Sequence, residues 1–86
     1  MNPTEYLDAL EGLWTTSNLA LAAYLRVSGH RPKRIRHAHT RGSFLFVETP
    51  ALMEEVRRFR NREALVDPES FMESLHILQG ALRDGA

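Results

Sequence analysis

Seven consecutive apolar residues, Leu19 to Leu25 (LALAAYL), stand between Asn18 and Arg26. A helix with that composition is apolar nearly all the way round and has no side to give to water. It belongs at the centre of a core, and the other elements have to cover it. Thr16 or Ser17 can cap its start, and Gly29 can end it in the left-handed conformation. The chain has 86 residues, so one such helix claims most of the interior available.

The covering elements read as follows. Thr4–Leu13 is expected to be a short helix, with Thr4 as cap and Leu7, Leu10 and Trp14 along one side. After Gly29 the period changes from helical to alternating. KRIRHAH (33–39) and SFLFVE (43–48) read as two strands joined through Thr40-Arg41-Gly42, with Gly42 in the left-handed position of a three-residue loop. Ile35, His37 and His39 then share one face of the first strand, and Arg34, Arg36 and Ala38 the other. In the second strand Phe44 and Phe46 oppose Leu45 and Val47, so both of its faces are apolar. One face covers the helical core; the other needs a helix, a partner chain or a stacked ligand.

Thr49-Pro50 pairs an accepted cap with the residue favoured at the first helical position, and Leu52, Val56 and Phe59 form the buried stripe of that helix. Ala64-Leu65-Val66 reads as a short third strand. Asp67-Pro68 repeats the cap-plus-proline signal before a last helix with Phe71, Leu75, Leu78 and Leu82 on one side. The expected fold is α+β, in the order α-α-β-β-α-(β)-α, with a β-hairpin packed against about four helices.

A chain of this length is expected to be a single domain over residues 1–86, burying roughly 60–65% of its unfolded surface. It contains no cysteine, so neither disulfides nor thiolate chemistry is available. Core packing must suffice, unless two copies share a core as a homodimer. The opening MNPTEYLDALEG is acidic and lacks the basic and apolar regions of a signal peptide, and no apolar run approaches a membrane span. A soluble, cytoplasmic protein with no membrane partner is the expectation.

Net charge is zero but unevenly laid out. Residues 1–25 hold Glu5, Asp8 and Glu11 and no base, residues 26–62 hold ten bases against three acids, and residues 63–86 hold five acids against Arg83. The bases form two clusters. Arg31, Lys33, Arg34, Arg36 and Arg41 lie on the first strand and its loop; Arg57, Arg58, Arg60 and Arg62 lie on the helix that follows the hairpin. Chain order makes the clusters expected neighbours. Together they could neutralise several phosphates, with a steep salt dependence and little sequence preference. Lys33, Arg34, Arg36, Arg41, Arg57, Arg58 and Arg60 are the expected phosphate contacts. The plainer alternative is a solvated face answered by Glu54, Glu55, Glu63 and the acidic ends, since exposed ion pairs are common and weak.

Other chemistries fit less well. His37 and His39 share a strand face and His30 is near, but nothing supplies a third or fourth metal ligand, and no cofactor is expected. His76 and Glu73 have ordinary helix-surface spacing, and there is no nucleophile elbow or phosphate-binding Gly loop, so the chain reads as a non-enzyme with no small-molecule substrate. RGSFLFV (41–47) is similar to the second signature of RNA-recognition motifs. Its first aromatic is one place late, and the partner motif is missing. A winged helix would place three helices before its wing, where two are expected here.

Three stretches carry a wider resemblance: TSNLALAAYL (16–25) with Gly29, FLFVETPAL (44–52), and VRRFRNREALVDPESF (56–71). This pattern resembles a family of small uncharacterised domains of bacteria, their phages and mobile elements, with a Leu-Ala-Ala-Tyr helix, an aromatic strand and a Val-Asp-Pro helix start. The resemblance spans about Thr16 to Leu82, and its positions are core and cap residues, which specify fold rather than chemistry. It implies an accessory role in a phage or mobile element and no reaction. The expected function is a small non-enzymatic accessory protein that binds nucleic acid through the hairpin and the Arg-rich helix. The alternative is a protein-interaction module, a homodimer through the second apolar face of Phe44–Val47.

Overall fold

The computed structural model describes residues 12–37 and 42–84. Six elements follow in order: β1 (Leu13–Thr16), α1 (Leu19–Val27), β2 (Arg34–His37), β3 (Gly42–Val47), α2 (Pro50–Arg60) and α3 (Pro68–Asp84). The α+β class therefore stands, with three helices and a three-stranded antiparallel sheet in the order β1-β3-β2 among the described residues.

Helix α1 is central, as its composition demands. Leu21 to Leu25 are all buried, and Ala22 and Ala23 are small enough to let neighbouring elements approach closely. Both α2 and α3 pack on it. The cap is Asn18 rather than Thr16 or Ser17: its Oδ1 accepts the Leu21 N–H at 3.0 Å, while the Thr16 hydroxyl accepts the Asn18 N–H at 3.1 Å. At the other end the Gly29 N–H donates to Arg26 at 3.1 Å and the His30 N–H to Leu25 at 2.9 Å, with Gly29 at φ 98°. This is the two-bond left-handed cap that Gly29 predicts.

The start of the chain differs from expectation. Most of the expected Thr4–Leu13 helix lies outside the described residues, but Leu13 and Trp14 belong to a strand. β1 pairs with β3 in register Leu13↔Val47, Trp14↔Phe46, Thr15↔Leu45 and Thr16↔Phe44. Trp-Thr-Thr is an aromatic and β-branched run, and that preference wins over the helical spacing of Leu7, Leu10 and Trp14. The third strand is thus β1 and not Ala64–Val66. Both edges of β3 are already taken by β1 and β2, so residues 64–66 find no ladder there. They keep an alternating pattern all the same: Ala64 and Val66 pack on the core and Leu65 is 92% exposed.

β2 pairs with β3 as Arg34↔Leu45, Ile35↔Phe44, Arg36↔Ser43 and His37↔Gly42. Paired residues share a face. Trp14, Ile35, Phe44 and Phe46 therefore face the helices, and all four join the main core, with Phe44 0% and Phe46 1% exposed. Leu13, Thr15, Arg34, Arg36, Ser43, Leu45 and Val47 lie on the other face. Gly42 is not a left-handed turn residue; among the described glycines, Gly12 and Gly29 have positive φ. Gly42 sits within β3, and a Cβ there would come within 2.1 Å of Leu82 Cδ2. The Leu82 side chain of α3 fills the space a Cβ would take, so a larger residue here needs that side chain to move. Residues 38–41, the expected loop and the end of the expected first strand, lie outside the described residues.

The remaining helices start where the sequence says. The Thr49 hydroxyl accepts the Leu52 N–H at 3.0 Å, with Pro50 first in α2. Asp67 accepts the Ser70 N–H at 2.8 Å and the Ser70 hydroxyl at 2.9 Å at the start of α3. Leu52, Val56 and Phe59 pack into the core, as do Phe71, Leu75, Leu78 and Leu82. No described helix is long and apolar enough to cross a membrane.

Candidate nucleic-acid interface

The cations begin just after the left-handed cap of α1. Arg31 and Lys33 are exposed and form no ion pair among the described residues. The Lys33 N–H donates to the Leu45 carbonyl at 2.7 Å, which ties the segment to the sheet and leaves the ammonium outside. Arg34 and Arg36 follow on β2. Their register with Leu45 and Ser43 sends both to the face away from the helices, about 6.6 Å apart along the strand. Arg34 is exposed, Arg36 is half-buried, and both already interact with other groups of the chain. β2 is an outer strand of the sheet, so this row of positive charge runs along an edge. Arg41 lies outside the described residues.

The second cluster has a different character. Arg57 is held between two carboxylates, with Nη2 2.7 Å from Glu54 Oε1, Nε 3.0 Å from Glu54 Oε2 and Nη1 2.9 Å from Glu63 Oε2. Arg58 lies 3.5 Å from both Glu54 and Glu55. The forked contact from Arg57 draws the Glu54 carboxyl below its ordinary range, and Glu54, then Glu63, hold the Arg57 guanidinium more firmly charged. Glu55 also accepts a hydrogen bond from the Tyr24 hydroxyl, whose pKa is raised first by burial and then by that carboxylate. The ring of Tyr24 packs against Phe59 with centroids 5.8 Å apart. Much of the positive charge of α2 is thus answered by its own acids and by Glu63. Arg60 and Arg62 are exposed and have no ion pair among the described residues.

The two clusters do not form one continuous face. α2 packs on α1, and Leu52 and Val56 join the core on the Phe44 side of the sheet, whereas Arg34 and Arg36 leave the sheet on the opposite side. The helix beside β2 is α3. Succession in the chain does not make β2 and α2 neighbours here, because α2 turns back over α1.

Two pairings went unread in the sequence. Arg26 Nη1 donates to the buried Ser74 hydroxyl at 2.8 Å, joining α1 to α3. The Tyr24–Glu55 bond joins α1 to α2. Tyr24 within an otherwise apolar helix is itself a signal, since a buried hydroxyl needs a partner. For Arg57 and Arg58 the signal was the spacing of Glu54 and Glu55, three and four residues earlier.

Leu45, on the sheet face proposed as a dimer contact, is 0% exposed within the single chain, and Val47 is 51% exposed. That face offers a second copy less apolar surface than the alternation of Phe44–Val47 suggests. His37 is exposed on β2 and His76 on α3; among the described residues no group of three or more His, Cys, Asp or Glu is placed to hold a metal ion.

A family model described as "Domain of unknown function (DUF5659)" matches residues 11–83. No curated protein and no solved structure matches the chain.

Proposed function

We propose that this chain, which belongs to the DUF5659 family, is a small non-enzymatic accessory protein that binds nucleic acid along the β2 edge of its sheet. The observation that carries the reading is the pair of exposed cations with no ion pair among the described residues, Arg31 and Lys33, leading directly into Arg34 and Arg36 on an outer strand. Arg41 continues the same charge in the sequence, and residues 30–41 contain no acid. The expected contacts are weighted accordingly. Lys33 stands first and is joined by Arg31; Arg34 and Arg36, on the same edge but already interacting within the chain, follow with Arg41. Arg57 and Arg58 stand lower, because a phosphate would have to displace Glu54, Glu55 and Glu63. Arg60 is exposed but lies on a different layer of the molecule. The resemblance of the Leu-Ala-Ala-Tyr helix and Val-Asp-Pro start to small domains of phages and mobile elements supports an accessory role in such a setting.

A titration of a labelled duplex by fluorescence anisotropy, repeated across salt concentrations, tests this. Binding should weaken steeply with salt, with a slope of about −0.9 in log K against log salt for each phosphate engaged. Lys33→Ala should make that slope shallower by about 1. Arg57→Gln should leave affinity within about twofold, since that side chain is already committed to carboxylates. No measurable binding at low salt ends the proposal, and so does an Arg57→Gln loss as large as that of Lys33→Ala.

A further inference from the structure

The aromatic side chains sort themselves in a way that bears on what kind of nucleic acid this edge can hold. Proteins that grip single strands normally stack successive bases on exposed aromatic rings. Of the seven aromatic residues in the chain, six are described. Phe44, Phe46 and Tyr24 are buried, and Trp14, Phe59 and Phe71 pack against the same core. The alternation of the sheet sends Trp14, Phe44 and Phe46 to the helix side, while Arg34 and Arg36 leave on the other side beside Thr15 and Ser43. Leu13 and Leu45 are buried on that face and Val47 is half-exposed; what the charged side leaves open among the described residues is Val47, hydroxyls and guanidinium groups, with no ring. Such a surface can contact phosphate and sugar and, among the described residues, offers no aromatic platform for a base.

Resting on the reading above, we infer that the nucleic acid bound is a double helix, held through its phosphodiester backbone and without regard to sequence. Three features of the surface suit a duplex. Its charge density is about one negative charge per 1.7 Å of axis, roughly twice that of one strand, so a row of cations gains most there. The short extended run of Arg31 to Arg36 can follow a backbone without entering the stack. The bases of a duplex stay paired, so it asks for none of the aromatic stacking that the described residues do not offer.

The test compares four labelled ligands of about 20 nucleotides or base pairs at about 50 mM salt. They are two duplexes of unrelated sequence, a single strand, and the same strand with abasic sites. Emission from Trp14, the chain's single tryptophan, is followed in parallel. The two duplexes should bind within about twofold of each other and at least about threefold more tightly than the single strand. The abasic strand should match the intact strand within about twofold, and Trp14 emission should stay unchanged. A single strand that binds more tightly than duplex, or loses affinity when its bases are removed, or quenches Trp14, overturns the inference while leaving nucleic-acid binding intact. Duplexes that differ more than about tenfold overturn it as well. Absence of binding to all four removes the underlying reading and this inference with it.

Discussion

Arg62 holds a left-handed backbone, φ 60°, at the position after α2 that glycine usually fills. The cap around it is complete: its own N–H donates to Phe59 at 3.2 Å and the Glu63 N–H donates to Arg58 at 2.8 Å. The bonds that Gly29 makes easy at the end of α1 are therefore made at the end of α2 by a residue with a Cβ. Arg62→Gly should stabilise the fold by about 0.5–1 kcal/mol, the relief of left-handed strain less the added freedom of the unfolded chain, read as a higher urea midpoint with unchanged slope. Gly42 shows the reverse situation, where side-chain space is the constraint. Gly42→Val should cost about 1–3 kcal/mol through collision with Leu82. Adding Leu82→Ala should give a loss smaller than the sum of the two single losses, and strict additivity would show that the contact does not set the requirement. The glycine was visible in the sequence, but its reason was not, because Leu82 is forty residues away and only the fold brings it close.

At the scale of elements, the helices were legible where a local signal ended them. Thr49-Pro50 and Asp67-Pro68 each place a hydroxyl or carboxylate over open backbone N–H groups, and both starts agree with the structure. β1 was misread, because four residues following an apparently helical spacing carry too little periodicity of their own; its identity comes from pairing with β3, a long-range contact. The Asp67 cap has a titration signature. The backbone N–H of Ser70, then its hydroxyl, hold the Asp67 carboxyl below its ordinary value. A proton therefore binds the unfolded chain more readily than the folded one. The stabilisation is present at neutral pH and is lost as pH falls below about 4 and through the folded value. Asp67→Asn keeps a capping oxygen but cannot titrate. Its thermal midpoint should fall less than the wild type's between pH 5 and pH 3; an equal fall in both would show that Asp67 does not contribute.

For the molecule as a whole, the uneven charge was plain in the sequence, and its arrangement in space was not. Glu54, Glu55 and Glu63 fall within reach of Arg57 and Arg58 through helix geometry and the cap at Arg62, so for this helix the plainer alternative, a face answered by those acids, was legible in the spacing. The separation of the two basic clusters onto opposite sides of the sheet depends on which face each strand residue takes and on α2 folding back over α1. Neither is a local property. The placement of the candidate site was accordingly half legible: Lys33, Arg34 and Arg36 do follow one another into an outer strand, and the expected union with Arg57, Arg58 and Arg60 is not made by the fold. An interface confined to residues 31–41 engages at most five phosphates, one for each of Arg31, Lys33, Arg34, Arg36 and Arg41 in the sequence. The duplex salt slope should then lie near −4.5 or shallower. A slope near twice that value would require the helix cluster to take part.

The position of β2 at the border of the sheet has a consequence for solubility. An outer strand carries backbone hydrogen-bonding groups that another strand could satisfy, which makes it a natural seed for aggregates. β2 is only four residues long, and two copies laid edge to edge would bring rows of arginine together, so repulsion guards the opening. Through that repulsion the same charges would keep neighbouring molecules apart in a crowded solution. A chain in which Arg31, Lys33, Arg34 and Arg36 are all exchanged for glutamine should remain folded by circular dichroism yet show light scattering that grows with time at neutral pH. If it stays clear at concentrations where the wild type is clear, the guarding role is absent, and the charges serve recognition alone.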